Sequence, residues 1–138
     1  FDTNKNGRVD AGEYAPFNIQ LLTPPGETYG QLFVSYAKTQ ACPKEEVEKG
    51  SCKAGEIFAG EEDVSAPGLG RVAQFTEDGK LVAVWQDGGK LSAPWGMAFA
   101  PANFGALSGA LLVANFGDGT ISAYDPATRT FRDYLRDA

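Results

Sequence analysis

At 138 residues the chain is long enough for one domain with a real core and too short for two of ordinary size. It contains no histidine, which excludes His-dependent triads, His-ligated zinc and an imidazole general base, and leaves any chemistry to carboxylates. A formal charge of −6 opposes nucleic acid as a partner, because phosphates demand a basic face, and no stretch reaches the roughly 18 apolar residues of a membrane helix.

The 17 Gly and 8 Pro fall in short clusters that mark closely spaced turns, so an all-β fold is expected. The chain begins at Phe1 with neither Met nor a signal peptide, as a processed or partial chain would. Residues 2–13 read Asp-Thr-Asn-Lys-Asn-Gly-Arg-Val-Asp-Ala-Gly-Glu and fit the twelve-residue EF-hand loop position by position. Asp2, Asn4 and Asn6 take the first three ligand places, and Gly7 sits where the loop turns sharply. Arg8 offers its backbone carbonyl, Asp10 is the ninth position, and Glu13 is the bidentate twelfth. Oxygen ligands at alternating positions suit a hard cation that the chain can wrap, so one Ca2+ of modest affinity is expected. Pro16 prevents a normal exit helix. The expectation is therefore an isolated calcium loop stitched to a strand, not a sensor that opens. The alternative is a plain turn whose Asn side chains bond their own backbone.

Strands are predicted near 17–22, 31–37, 70–76 and 80–85, with Glu77-Asp78-Gly79 as the last turn. The connection 38–69 is an insertion. In its part from Ala41 to Asp63, Glu45, Glu46, Glu48, Glu56, Glu61, Glu62 and Asp63 stand against Lys44, Lys49 and Lys53, which gives that segment a net −4 of the chain's −6. A long acidic loop on a rigid scaffold favours basic partners or cations; a solvated excursion is the alternative. Within it Cys42 and Cys52 predict a local disulfide, and with it an oxidising compartment and a secreted or extracellular location. Two exposed free thiols are the alternative.

A second set of strands is predicted near 96–100, 110–116, 119–125 and 130–135, with hairpins at Gly117-Asp118-Gly119 and Asp125-Pro126-Ala127-Thr128. The two sets align. Ala15-Pro16-Phe17-Asn18-Ile19 matches Ala93-Pro94-Trp95-Gly96-Met97; Gly30 to Tyr36 matches Gly109 to Asn115; Gly70 to Phe75 matches Gly119 to Tyr124. A four-stranded antiparallel meander occurring twice is the pattern of β-propeller blades. Two blades cannot close a ring, so the chain is expected to be part of a larger propeller or to need partner subunits, with an eight-stranded β-sandwich as the alternative. The expected units are the calcium loop at 1–13, a blade at 14–92 carrying the insertion, and a blade at 93–138. The calcium loop, the insertion and Gln86-Asp87-Gly88-Gly89 are expected to lie together on one face, and Val34 and Phe75 to share the environments of Val113 and Tyr124.

The runs Tyr14 to Gln20, Leu32 to Lys38, Ala93 to Gly105 and Gly109 to Gly119 make the chain resemble the middle part of a family of secreted bacterial propeller proteins. That family is distantly NHL-like, is associated with the PEP-CTERM export system and has no established biochemical function. The resemblance covers most of residues 14–138 and lapses at 1–13 and 39–63. It implies a propeller fold and a non-catalytic binding or structural module.

Two functions are weighed. One is a secreted module stabilised by calcium, whose partners are the remainder of the propeller or other subunits, with carbohydrate or extracellular matrix as further candidates. The other is a lactonase-like propeller hydrolase or lyase using a divalent cation, for which Asn18, Asn115 and Asp118 are the inner-strand candidates. Asn18 aligns with Gly96, and no carboxylate pair for acid and base catalysis is identifiable. Phe17 and Trp95 fit packing between blades better than carbohydrate stacking, and Phe104 and Phe116 are read as core or blade-edge residues.

Overall fold

Turn chemistry at regular intervals cuts this chain into short apolar strands, and each turn closes by its own hydrogen bonds. Asp125 Oδ1 accepts from the amides of Ala127 and Thr128 at 2.8 and 3.0 Å, and the Thr76 amide donates to the Lys80 carbonyl at 2.9 Å across a turn where Gly79 adopts a φ of +85°. The computed structural model describes residues 4–58, 65–85 and 88–136. The strands among them are β1 (Tyr14–Leu22), β2 (Gln31–Lys38), β3 (Gly70–Phe75), β4 (Leu81–Val84), β5 (Pro94–Phe99), β6 (Leu111–Asn115), β7 (Ile121–Tyr124) and β8 (Phe131–Tyr134). They form two four-stranded antiparallel sheets, in the orders β1-β2-β3-β4 and β5-β6-β7-β8. The all-β class and the doubled meander are therefore as the sequence predicts. Pro16 and Pro94 fit because β1 and β5 are edge strands, and both strands are irregular just beyond the proline.

Register repeats between the sheets residue by residue. The row Ile19, Val34, Ala73, Val84 in the first sheet corresponds to Met97, Val113, Ser122, Tyr134 in the second. The next row, Leu21, Leu32, Phe75, Leu81, corresponds to Phe99, Leu111, Tyr124, Phe131. Each sheet also shifts register at the same place, between Gln74 and Phe75 and between Ala123 and Tyr124.

The sheets pack face to face. Phe33, Val72, Trp85 and Leu91 meet Met97, Leu111, Val113 and Tyr124 in one cluster, with Phe33 edge-on to Phe99 at 5.6 Å and Trp85 edge-on to Tyr124 at 6.5 Å. Only glycine fits at 70, where a Cβ would lie 2.6 Å from Pro94 Cδ. Phe17 packs edge-on against Trp95 with ring centroids 4.7 Å apart, so this pair does join the two sheets.

Several expectations change. Val34 and Val113 are both buried, but Phe75 is only half-buried while its counterpart Tyr124 is fully buried, because Tyr124 packs against Trp85 in the contact between the sheets and Phe75 lies on the face of β3 turned away from that contact. Phe104 and Phe116 are exposed rather than core, at 37% and 62%. The insertion, read as loop throughout, holds a helix, α1 (Lys44–Lys49). Pro43 at its N-cap, Glu45 and Glu46 in its first turn, Lys49 in its last and a left-handed Gly50 after it are each favourable helix signals in so short a span. The predicted disulfide is present between Cys42 and Cys52, with Cα atoms 6.1 Å apart, and an isolated bridge pairs Ala41 with Ile57 just outside it.

Burial predicts unequal costs for two leucines. Leu111→Ala removes a fully buried side chain and should cost about 2–5 kcal/mol in urea unfolding. Leu21→Ala, on a side chain 60% exposed, should fall within about 0.5 kcal/mol of the parent at concentrations where the chain is monomeric.

Candidate metal-binding loop

Residues 4–13 turn back on themselves because short polar side chains bond the backbone two positions ahead. Asn4 Oδ1 accepts from the Asn6 amide and Asn6 Oδ1 from the Arg8 amide, each at 3.1 Å. Gly7 supports the sharp bend with a φ of +86°. The loop end is drawn inward by Glu13, which is 8% exposed and accepts from the Asp10 amide at 2.9 Å and from the Asn4 amide at 3.3 Å. Asp10 Oδ2 in turn accepts from Asn4 Nδ2 at 2.9 Å and Asn6 Nδ2 at 2.6 Å, while its Oδ1 pairs with Arg8 Nε at 2.9 Å. The structure thus brings Asn4, Asn6, Asp10 and Glu13 into one bonded group; Asp2 lies outside the described residues.

The bonds from Asn4 and Asn6 are the main reason that the Asp10 carboxyl is held below its ordinary value of 3.8, with the Arg8 charge acting in the same direction. A carboxylate whose pKa is lowered by folding stabilises the folded loop above the ordinary value, and that contribution is lost as pH falls through the lowered one. Carboxyl NMR titration should accordingly place the Asp10 midpoint below 3.8, and replacing both Asn4 and Asn6 by Ala should move it upward.

Position comes from Thr39, which sequence reasoning did not single out. It is 5% exposed, and its hydroxyl lies 3.0 Å from the Asp10 carbonyl, 3.1 Å from the Glu13 carbonyl and 3.0 Å from the Gly12 amide. Backbone bonds from Thr39 N to Glu13 O at 2.9 Å and from Gly12 N to Thr39 O at 3.2 Å complete the clamp. No local signal could have found this residue, because its partners lie 26 to 29 positions away. Thr39→Val keeps the shape and removes the hydroxyl. It should cost about 1–2 kcal/mol in urea unfolding and expose the loop to limited proteolysis; unchanged stability and cleavage would show the clamp to be idle.

The expected neighbourhood of loop and insertion is present: Arg8, Val9, Asp10 and Ala11 face Gly55, Glu56 and Ile57 across a cleft of about 260 Å³. Glu61, Glu62, Asp63, Gln86 and Asp87 lie outside the described residues. Among the described residues no group of three or more His, Cys, Asp and Glu converges as a metal cluster, so a cation here would depend on the Asn oxygens beside Asp10 and Glu13.

The inner-strand candidates serve the scaffold. Asn115 is buried; its Nδ2 reaches the Lys90 carbonyl, Thr120 Oγ1 and Ser122 Oγ at 3.2, 3.0 and 3.0 Å, and its Oδ1 accepts from the Ser92 amide at 3.1 Å. Asn18 Nδ2 donates to the Trp95 carbonyl at 3.0 Å across the sheets, and Asp118 Oδ1 accepts from the Thr120 amide at 3.0 Å within a turn. Gln20, which sequence reasoning passed over, accepts from the Met97 amide at 2.7 Å.

Comparison with known proteins gives partial likenesses. No family model and no solved structure matches the chain. Uncharacterized protein L690 of Acanthamoeba polyphaga mimivirus is 44% identical over 62 residues, which are 45% of this chain and 17% of that protein. Uncharacterized protein R640 of the same virus is 40% identical over 58 residues, 42% of this chain and 11% of its own length. The chain spans less than a fifth of the length of these curated relatives. The similar proteins are viral and nothing points to a secreted bacterial, export-associated propeller family, so that resemblance is corrected. Apolar strands punctuated by Gly, Asn and Asp follow from meander chemistry itself, and motifs of this kind do not specify a lineage.

Proposed function

We propose that the chain is a secreted, non-catalytic binding or structural module built from two blades of a larger β-propeller, with one Ca2+ held by the loop that ends at Glu13. The observation that carries the reading is the gathering of Asn4, Asn6, Asp10 and Glu13 around a bend at Gly7, whose φ is +86°. Asn4 and Asn6 would ligate through Oδ1, since an amide oxygen has two lone pairs and can accept a hydrogen bond and bind a cation together. Glu13 would supply the bidentate carboxylate and Arg8 its carbonyl. Binding would replace the Asn-to-Asp10 bonds, so the ion would exchange one ordered loop for a tighter one. Its role would be structural, because Thr39 fastens the loop directly to the end of β2.

Propeller blades are supported over a sandwich by the uncovered side of the first sheet, where Ile19 and Leu21 are each 60% exposed. A closed sandwich turns polar residues outward on both sheets. Secretion is supported by the Cys42–Cys52 disulfide, which persists in oxidising compartments. The remainder of the propeller, or other subunits, would cover the exposed sides. Trp95, 49% exposed beside Phe17 and Phe116, is the place to look for a carbohydrate or matrix contact. The lactonase-like alternative would need Asn18, Asn115 and Asp118 to exchange their scaffold bonds for a cation.

A ligand that binds only the folded state raises the melting temperature as its concentration exceeds the dissociation constant. Millimolar calcium should therefore raise the melting temperature and protect the chain from proteolysis near Arg8, and Glu13→Gln should abolish most of that response. A parent chain indifferent to calcium, or a Glu13→Gln variant that responds like the parent, would sink the calcium reading.

A further inference from the structure

The contact between the two sheets is asymmetric in terms of the repeat. The first sheet turns toward the second the rows Asn18, Ser35, Val72 and Gln20, Phe33, Gln74, of which Asn18 and Gln20 are half-buried and the rest buried. The second turns the opposite rows toward the first, Met97, Val113, Ser122 and Phe99, Leu111, Tyr124, Phe131, with Phe99 and Phe131 half-buried at their ends. Each sheet therefore keeps open the face that its counterpart uses. On the first sheet that face is Ile19, Val34, Ala73, Val84 and Leu21, Leu32, Phe75, Leu81; its edge-strand residues Ile19, Leu21, Leu81 and Val84 are exposed, while Val34 and Ala73 between them are buried. On the second it centres on Gly96, Ala98, Leu112, Ala114 and Ile121, which line a groove of about 500 Å³ with Trp95 and Met97 and, from β1, Asn18 and Gln20.

We propose that a second copy of this chain lays the open face of its β1–β4 sheet on the open face of the β5–β8 sheet, repeating head to tail the contact that already joins the two sheets within one chain. The partner is argued from the established interface: Ile19, Leu21, Leu32 and Phe75 stand in register where Met97, Phe99, Leu111 and Tyr124 make that contact. The receiving face has room. Within the chain Asn18, Gln20 and Ser35 reach across to β5 backbone, whereas Gly96, Ala98 and Ala114 occupy the equivalent places on the second sheet. The intermolecular contact thus meets mainly apolar side chains on β5 to β7, with Asn18 and Gln20 at the groove's margin, and lacks those three side-chain bonds, so it forms with rising concentration. A heterologous contact of this kind closes into a ring of two or more copies or runs on as a chain of copies.

This names the covering partner in the propeller reading and rests on its stacked blades, but not on calcium. Sedimentation velocity of the chain from micromolar to millimolar concentration should show mass rising above the 14.6 kDa monomer. Leu21→Lys spoils one face and Ala98→Lys the other, both at exposed positions, so each variant alone should stay monomeric. Mixed, they should form a 1:1 dimer and nothing larger, because one intact face remains on each. Ile19→Lys and Ala98→Glu repeat the two arms, with circular dichroism confirming the fold. A parent monomeric throughout, a single variant that still dimerises as an isologous contact would allow, or a mixture that does not associate would each overturn the proposal. A chain that stays monomeric yet melts higher with calcium would overturn self-association alone.

Discussion

A four-stranded meander has two faces and can bury neither by itself, so everything else in this structure depends on one sheet covering the other. Phe33, Val72 and Trp85 leave water only because Met97, Leu111, Val113 and Tyr124 lie against them. Because the same repeat supplies both surfaces, packing has a direction: one sheet contributes the face that carries its amides, the other the face that carries its aliphatic and aromatic rows. Directional packing explains why Phe75 and Tyr124, matched in register, differ in burial. It also explains why large side chains stay exposed on the outer strands of the first sheet.

Polar groups refine that contact. Asn18 and Gln20 end their amides on the backbone of β5, where the strand irregularity after Pro94 leaves groups that a regular ladder would have used. Asn115 performs a comparable duty just before β5, tying Ser92 and Lys90 to β7. A buried asparagine at the end of β6 invites a catalytic reading, but hydrogen bonds of ordinary length account for this one structurally. The loop at the N-terminal side follows the same logic of borrowed support: its carboxylates are organised locally, and its location is set by Thr39 just after β2.

Much of this was legible in the order of residues. Strand positions, hairpin turns, the doubled meander and the Cys42–Cys52 pair all depend on neighbours within a few positions, where alternation, Gly, Pro, Asn and Asp act directly. The helix α1 was equally local, and its Pro43, Glu45, Glu46, Lys49 and Gly50 signals were present but overshadowed by the reading of the segment as an acidic loop. The lineage was not legible, for the opposite reason. Motifs such as Gly109 to Gly119 state what a tight β-meander requires and carry little information about ancestry.

Local chemistry therefore determined, from the sequence by itself, the elements, the repeat and the residues of the loop ending at Glu13. Only the tertiary structure decided which face of each sheet is covered, since alternation divides a strand into two faces and both sides of these strands are apolar enough to qualify. It also decided that Thr39 holds the loop, that Gln20 caps a β5 amide, and that Gly70 passes too close to Pro94 for any side chain. Each of these joins residues more than 20 positions apart, and such pairings are settled by how the sheets stack rather than by any pattern along the chain.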